Sequence, residues 1–261
     1  MELAERKKGV SALTLKWIAI ITMAIDHTGV VCYKWLGWTD RYLLLRHIGR
    51  IAFPIFAFLL VEGFRHTRNR RTYLRNLFIF ALISEIPFDL ALTGWNTRNN
   101  TQNIFFTLFL GLLILLALDA LSVRCERGPI LRFLIWPLSL LPIAAGMFLA
   151  ERLRVDYHLW GVLLIVLVYA GEKAASRRSV SQRARNVGAA CGVILWMILY
   201  DVSHSWANEI YGLVCVVPIL FYNGERGRYR LSKWFFYGFY PAHLLLLHAL
   251  QDTLFKALLT R

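Results

Sequence analysis

Long apolar segments run through almost the whole of this sequence, and only short polar stretches separate them. A helix that crosses a bilayer needs about 20 mostly apolar residues. Nine segments approach this length, two of them short, at residues 14–35, 43–63, 74–93, 103–121, 130–150, 157–171, 187–203, 208–222 and 234–254. The sequence therefore predicts an all-α, polytopic membrane bundle of about nine transmembrane helices, in a single domain that covers residues 1–261.

Basic residues are concentrated between the apolar segments. The chain has 30 Lys and Arg residues against 16 Asp and Glu, yet only 18% of its residues are charged, whereas soluble domains carry about 25%. With a cytoplasmic N-terminus, most basic residues fall on the cytoplasmic side, as the positive-inside rule requires. We therefore predict a multi-pass protein of the cytoplasmic (inner) cell membrane, surrounded by lipids. No basic groove with stacking aromatic residues can be traced, which argues against a nucleic-acid partner.

The sequence lacks the motifs that usually hold metals or nucleotides. Its four cysteines form no CxxC pair, and it contains no HExxH, no Walker loop and no GxSxG elbow. We therefore expect no metal site and no disulfide. The basic run at residues 6–8 precedes an apolar stretch, as in a signal peptide. Because Lys16, Asp26 and His27 interrupt that stretch and no cleavage site follows, we interpret it as a retained first span.

Two ionisable side chains share one face of the first predicted span. Lys16 and His27 are eleven residues apart, which is about three helical turns and about 16 Å along the helix axis. An ionisable residue inside a span is costly to desolvate and marks function by default. His27 is either a general base or a hydrogen-bonded structural histidine. The neighbouring Asp26 could orient its imidazole; since adjacent positions point about 100° apart, Asp26 could instead pair with another helix.

Further ionisable residues lie in the second and third spans. Arg50 lies within residues 49–54, whose Gly and Pro indicate a close helix contact and a kink. Glu62 follows near the end of that span and is either functional or interfacial. Glu85 and Asp89 flank a proline on nearly one face, where two carboxylates need a cation, a shared proton or water. A catalytic role and a salt bridge to Arg50 both remain open for this pair. The ionisable residues nearer the interfaces are interpreted as structural: Asp119, Asp201, His204 and His248.

Several blocks of sequence, spread over nearly the whole chain, match a known pattern. They lie at residues 15–20, 23–29, 46–56 with 62–63, 80–89, 103–108 with 111, 156–162, 223–227 and 236–244. Together these blocks resemble the TraX family, and their number and order make the resemblance specific. One position departs from the family pattern, because His158 follows Asp156 and Tyr157 where a small residue is expected. This departure leaves the local geometry on the acceptor side open.

The resemblance implies a membrane acetyltransferase. The name-giving member of the family acetylates the N-terminus of a conjugative pilin, and the family is similar to a wider superfamily of transmembrane acyltransferases. In that superfamily a basic residue and a histidine, with ten residues between them, lie on the first helix, and Lys16 and His27 have this spacing. The resemblance therefore implies acetyl-CoA as a cytoplasmic co-substrate and an acceptor on the outer side. A pilin-like peptide amine is favoured, with a glycan hydroxyl or a small molecule as alternatives.

Roles follow for individual residues. The predicted catalytic residues are His27, Asp26, Arg50 and Glu85, and the predicted substrate-binding or CoA-binding residues are Lys16, Glu62, Arg65, Asp89, Asn103, Arg226, Tyr240 and His243. His27 would act as general base, and Arg50 or Tyr240 would donate to the thioester oxygen. Arg65 and Arg226 would hold the CoA phosphates, or would only orient helices. Two rival functions stay open: a proton-coupled secondary transporter and a non-catalytic assembly partner of a surface fibre.

Overall fold

The part of the protein that the structure describes is almost entirely α-helical. A computed structural model describes residues 8–36, 39–93, 101–125, 133, 137–204, 209–228 and 233–259. Its α-helices are α1 (Ala12–Leu36), α2 (Thr39–Gly49), α3 (Ala52–His66), α4 (Arg70–Phe88), α5 (Ile104–Cys125), α6 (Leu140–Arg152), α7 (His158–Arg178), α8 (Gln182–Ser203), α9 (Val216–Leu220) and α10 (Lys233–Leu259). A π-helical turn, Asp89–Thr93, extends α4, and a 3-10 helix, Glu209–Cys215, precedes α9. Apart from two isolated β-bridges, the described chain contains no β-strand, so the all-α prediction is confirmed.

Six helical segments in the described part of the chain are long and apolar enough to cross a membrane. They are Ala12–Tyr33, Arg41–His66, Arg70–Thr93, Ile104–Arg124, His158–Arg178 and Gln182–Ser203. The protein is therefore a multi-pass membrane protein, and these segments correspond to the first four, the sixth and the seventh predicted spans. The count of nine is not confirmed. Much of the first half of the predicted span 130–150 lies outside the described residues, and the ninth predicted span corresponds to α10, a 27-residue helix outside the six.

The second predicted span is broken in its first half. α2 ends at Gly49 and α3 begins at Ala52, so the continuous helix is interrupted at Arg50 and Ile51. Pro54 falls in the first turn of α3, where the missing N–H has no intrahelical partner to lose. The close contact and kink predicted for residues 49–54 are therefore confirmed, as a break between two helices.

The eighth predicted span has few residues, and part of it is a 3-10 helix, which covers more length per residue than an α-helix. It begins at Glu209, whose backbone N–H donates to Asp201 at the end of α8, and it runs to Tyr222, whose carbonyl accepts from Asn186 near the start of α8. Residues 186 and 201 are about 22 Å apart along an α-helix. A 3-10 helix rises about 2.0 Å per residue instead of about 1.5 Å. The stretched Glu209–Cys215 segment therefore lets a short chain run antiparallel along most of α8.

The described chain divides into two compact units. The first unit comprises the residues up to Leu59 together with Leu167–Phe239, and its core includes Ile55, Trp196 and Met197. The second unit comprises Leu60–Val166 together with the residues from Tyr240 onward. Its core contains six buried residues: Leu110, Ile114, Ala150, Val155, Val162 and Val166. The single-domain organisation stays a prediction.

Within the first unit, a loop holds the beginning of α1. The backbone N–H groups of Ala12 and Leu13 donate to the carbonyl oxygens of Glu225 and Arg226, at 2.8 and 3.1 Å. The first N–H groups of a helix have no partner inside the helix, so these bonds satisfy groups that would otherwise need water. Gly227 has φ +81°, a left-handed conformation that costs glycine little. The loop and the first turn of α1 therefore form one connected structure.

Candidate functional site

Lys16 and His27 lie on one continuous helix. α1 is unbroken from Ala12 to Leu36, which confirms that the two residues share a face about 16 Å apart along the axis. The Lys16 ammonium lies over the ring of Phe236, 5.1 Å from its centroid. His27 is half-buried, so its ring is neither sealed in the core nor fully exposed. This face of α1 carries a cation at one end and a titratable base far along it.

Asp26 pairs with a different helix. Nη1 of Arg46, on α2, lies 2.5 Å from Oδ2 of Asp26, and both side chains are mostly buried. Gly49 packs so closely on Asp26 that a Cβ at position 49 would overlap its carboxylate. Since adjacent helix positions point about 100° apart, an Asp26 directed toward α2 leaves His27 directed elsewhere. Of the two alternatives that the sequence leaves open for Asp26, the structure contains the pairing between helices.

Arg50 forms the second ion pair of this region. Its Nη1 lies 2.7 Å from Oε1 of Glu209, and the Glu209 side chain is only 2% exposed. Arg46 and Arg50 each lie within electrostatic range of both Asp26 and Glu209. We call these four residues the ionic clasp: Asp26, Arg46, Arg50 and Glu209. Within the first unit, Arg50 thus pairs with Glu209, while the salt bridge that the sequence suggests between Arg50 and the pair Glu85 and Asp89 stays a prediction.

Sequence reasoning missed Glu209, whereas Asp201, interpreted as structural, holds the backbone beside it. The two Asp201 carboxylate oxygens accept the backbone N–H groups of Glu209 and Ile210, at 2.9 and 3.0 Å, and so cap the start of the 3-10 helix. The only sequence signal was an acidic residue at the start of an apolar segment, together with an arginine in another span that needed a counter-ion. Nothing in the local pattern pairs two residues so far apart in the chain.

In the second unit, Asn103 holds the carboxylate of Glu85. Its backbone N–H and its Nδ2 donate to Glu85 Oε2, at 3.2 and 2.5 Å, and Nδ2 also donates to the Ala81 carbonyl. Its Oδ1 accepts from the backbone N–H of Phe105 and caps α5. Asn103 is fully buried, and these bonds occupy its amide group. It is therefore placed to fix Glu85.

Asp89 lies where α4 changes its geometry. Pro87, inside α4, has no N–H to donate, and the helix continues as the π-helical turn that begins at Asp89. Asp89 Oδ1 accepts from the Thr93 hydroxyl at 3.0 Å. Glu85 and Asp89 are within electrostatic range of each other, as their spacing predicts. The helix geometry therefore changes directly after this proline.

Tyr240 and His243 lie together on α10 in the second unit. Tyr240 is 4% exposed and meets the ring of Phe105 edge-on, with 5.3 Å between the centroids. The centroid of the His243 ring is 5.6 Å from that of Tyr240. The Ile104 backbone and the Glu85 carboxylate both lie near enough to act electrostatically on the Tyr240 hydroxyl. The second unit therefore brings Glu85, Asn103, Tyr240 and His243 near one another.

The loop before α7 has an unusual backbone. Arg154, Tyr157 and His158 have φ of 52°, 60° and 48°, in the left-handed region that side chains disfavour. Hydrogen bonds hold the loop on both sides: Asp156 donates its N–H to the Gln102 carbonyl at 2.9 Å, and its own carbonyl accepts from Thr107 at 2.7 Å. The small residue expected at position 158 therefore has a physical basis, because glycine adopts this conformation readily.

The remaining predicted binding residues lie near helix ends. Glu62 is 3% exposed and pairs with Arg65 at 2.7 Å and with His66 at 3.2 Å, so its carboxylate is already occupied by two basic neighbours. Arg226 is exposed in the loop that holds α1, one helical turn from Lys16. The first unit thus gathers Lys16 and Arg226 at the same end of α1.

Two further observations concern Asp119 and possible metal ligands. Asp119, interpreted as structural, pairs with Arg70 at 2.5 Å. Among the residues that the structure describes, no three His, Cys, Asp or Glu side chains are grouped so that they could hold a metal ion.

Comparison with known proteins places this sequence in a family. The sequence matches the family model described as TraX protein over residues 11–251. The "Probable fimbrial assembly protein FimC, serogroup H1" of Dichelobacter nodosus is 33% identical over 252 residues, which cover 91% of this chain and 94% of that protein. The "Uncharacterized protein RP591" of Rickettsia prowazekii (strain Madrid E) is 32% identical over 111 residues, which cover 42% of this chain and 38% of that protein. No solved structure matches.

Proposed function

Since this chain belongs to the TraX family, we propose that it is an integral membrane acetyltransferase. It moves an acetyl group from cytoplasmic acetyl-CoA to an amine or hydroxyl acceptor at the outer side, with a peptide N-terminus as the favoured acceptor. One observation carries the proposal: Lys16 and His27 lie on one face of an unbroken membrane-spanning helix, with the basic residue near one end and the base deep in the span. The fimbrial assembly name of a relative that matches over most of both chains supports a peptide acceptor.

The donor would be held at the Lys16 end of α1. Acetyl-CoA carries several phosphate charges, and a guanidinium binds phosphate with paired hydrogen bonds. Arg226 suits this role because its backbone is tied to the first turn of α1 while its side chain is exposed. Arg65, held by Glu62, is the second predicted phosphate contact. The pantetheine arm would then extend along α1 toward His27.

His27 would act as general base. Its neutral imidazole takes a proton from the acceptor nitrogen or oxygen as that atom attacks the thioester carbon. The new bond joins the acceptor atom to the acetyl carbon, the carbon–sulfur bond breaks, and the CoA thiolate leaves and takes up a proton. Negative charge that develops on the carbonyl oxygen needs a donor, for which Arg50 and Tyr240 are the two candidates. In the second unit, Glu85, Asp89 and His243, with Glu85 held by Asn103, remain the predicted acceptor-binding group.

Acetyl transfer by purified protein tests the proposal. The protein in lipid nanodiscs receives labelled acetyl-CoA and three acceptors: a peptide with a free N-terminus, the same peptide with a blocked N-terminus, and a glycan. Only the free peptide should be labelled, and His27→Ala should lower the rate by about 100-fold or more, the usual contribution of a general base. His204→Ala, an exposed histidine outside the proposed site, is the matched control. Transfer by His27→Ala at the wild-type rate would exclude His27 as the base.

Calorimetry of CoA binding separates the donor contacts from the chemical step. Arg226→Gln should weaken the affinity for acetyl-CoA and leave the rate at saturating donor largely unchanged, because phosphate contacts lie far from the thioester. His27→Ala should show the opposite pattern. Arg178→Gln, an exposed arginine at the end of α7, is the control. Unchanged affinity in folded Arg226→Gln and Arg65→Gln would mean that these arginines only orient the helices.

The two rival functions predict other results. A secondary transporter would carry proton-coupled flux in liposomes without binding acetyl-CoA. A non-catalytic assembly partner would support normal fibre assembly after His27→Ala or Glu85→Gln. Either result, obtained with folded protein, would replace the acetyltransferase proposal.

A further inference from the structure

We propose that Glu209 is a positioning residue for the reaction, which acts through Arg50 and Arg46 on Asp26 and so fixes the rotation of α1 that presents His27. This inference rests on the proposed function, because it assigns His27 the role of base. Glu209 touches neither His27 nor any predicted substrate-binding residue among its described contacts; it acts at the far end of the ionic clasp.

The bond between Arg50 and Glu209 is the first step of the argument. Arg50 Nη1 and Glu209 Oε1 are 2.7 Å apart, and Glu209 as a whole residue is 1% exposed. A buried carboxylate is costly unless a charged partner compensates it, and a buried guanidinium makes the same demand. The ion pair therefore compensates the buried charge of Glu209.

The backbone around Glu209 is also held in place. Asp201 accepts the N–H groups of Glu209 and Ile210, which anchors the start of the 3-10 helix to the end of α8. Gly212, one turn later, packs on the backbone of Arg50, where a Cβ would lie 2.6 Å from the carbonyl oxygen. The 3-10 helix thus contacts Arg50 through both the side chain and the main chain, and Glu209 has little freedom to follow a displaced Arg50.

The ionic clasp connects the 3-10 helix that begins at Glu209 to α1. Arg46 holds Asp26, and Arg46 and Arg50 are each within electrostatic range of both carboxylates. With two arginines and two carboxylates, each arginine keeps its own partner. If Glu209 loses its charge, both guanidinium groups are drawn toward Asp26, the remaining carboxylate of the ionic clasp, and Asp26 shifts between them. His27 is the next residue on the same helix, so a shift of Asp26 turns His27 as well.

A double-mutant cycle on acetyl transfer tests the route. Glu209→Gln should lower kcat by about tenfold or more, as expected when a catalytic group is misplaced, and leave the KM for acetyl-CoA unchanged. In the Arg50→Gln background, Glu209→Gln should have no further effect, because the intermediary is gone. Glu151→Gln, an exposed glutamate, is the control. Additive losses in the cycle, or an unchanged kcat in folded Glu209→Gln, would overturn the proposal. If Glu209→Gln does not fold, Glu209→Asp keeps the charge, shortens the reach and must still lower kcat.

A second measurement does not depend on activity. In a protein whose native cysteines are replaced by alanine, a thiol introduced by His27→Cys reports its own accessibility through the rate of reaction with a small methanethiosulfonate. Glu209→Gln should change this rate, while the rate of a thiol introduced by Phe78→Cys in the second unit stays the same. An unchanged rate at position 27 would overturn the positioning role even if the protein transfers acetyl groups. A changed rate in a protein that transfers no acetyl group would contradict the proposed function but would still support the link from Glu209 to position 27.

Discussion

Gly49 packs directly against the carboxylate of Asp26, and this contact leaves no room for a side chain. Gly49→Ala should therefore push Asp26 away from Arg46 and lower the free energy of unfolding by about 1–3 kcal/mol, the usual cost of overpacking. Gly238→Ala is a matched control, because a Cβ there meets nothing within 4 Å. Thermal unfolding in detergent measures both. If the two variants unfold at the same temperature, the Asp26 carboxylate can move aside without cost and the close contact is not a constraint.

His158 offers a test of backbone strain at a single residue. Its φ of 48° lies in the left-handed region, which costs a residue with a Cβ roughly 1–2 kcal/mol. His158→Gly should therefore stabilise the protein by about 1 kcal/mol, an effect that thermal unfolding can resolve. His158→Ala removes the imidazole and its 3.6 Å approach to Glu151 but keeps the strain, so it should not stabilise. A stabilised alanine variant would assign the effect to the side chain instead of the backbone.

At the scale of elements, α7 and α8 approach each other through glycines. A Cβ on Gly188 would overlap the carbonyl group of Gly171, and a Cβ on Gly192 would lie 2.5 Å from the Leu167 carbonyl oxygen. Small residues four apart let membrane helices pack backbone to backbone. Gly188→Ala should separate the two helices and lower the free energy of unfolding by about 1–3 kcal/mol. Cys191→Ala, on the exposed face of α8, should change it by less than about 0.5 kcal/mol. Equal stability of both variants would mean that the helices can shift apart freely.

The sequence predicts single elements well, and the reason is physical. A continuous apolar run of about 20 residues is a length signal that needs no tertiary information, and six such runs form helices long and apolar enough to cross a membrane. Helical periodicity likewise predicts that Lys16 and His27 share a face, but it leaves open whether Asp26 supports His27 or pairs with another helix. The 3-10 geometry of Glu209–Cys215 could not be predicted, because contacts with α8 and Arg50 stretch the chain there.

At the scale of the whole molecule, the neighbours of each helix were the missing information. The cost of desolvating a charge predicts that Asp26 and Arg50 face away from lipid, but it does not identify Arg46 and Glu209 as their partners. Likewise, the resemblance marks Glu85, Asn103 and Tyr240 as separate blocks, and folding brings them near one another in the second unit. Pairings between distant segments depend on helix packing, which a single sequence does not encode in a readable pattern.

The orientation of the molecule in the membrane is the last prediction. In the first unit, hydrogen bonds join Val10 to Asn223 and Asn186 to Tyr222. The described basic residues next to these positions therefore lie at one end of the unit: Lys8, Arg183, Arg185, Arg226 and Arg228. The positive-inside rule places that end in the cytoplasm.

Two sites at opposite ends of α8 test this orientation: Val180, which is 79% exposed just before the helix, and the exposed His204 just after it. In a cysteine-free protein, a membrane-impermeant maleimide should label the thiol of His204→Cys in intact cells. The thiol of Val180→Cys should react only after the cells are permeabilised, because about 33 Å of helix separates the two positions. The reverse pattern would place the basic end outside, and labelling of both thiols in intact cells would mean that α8 does not cross the membrane.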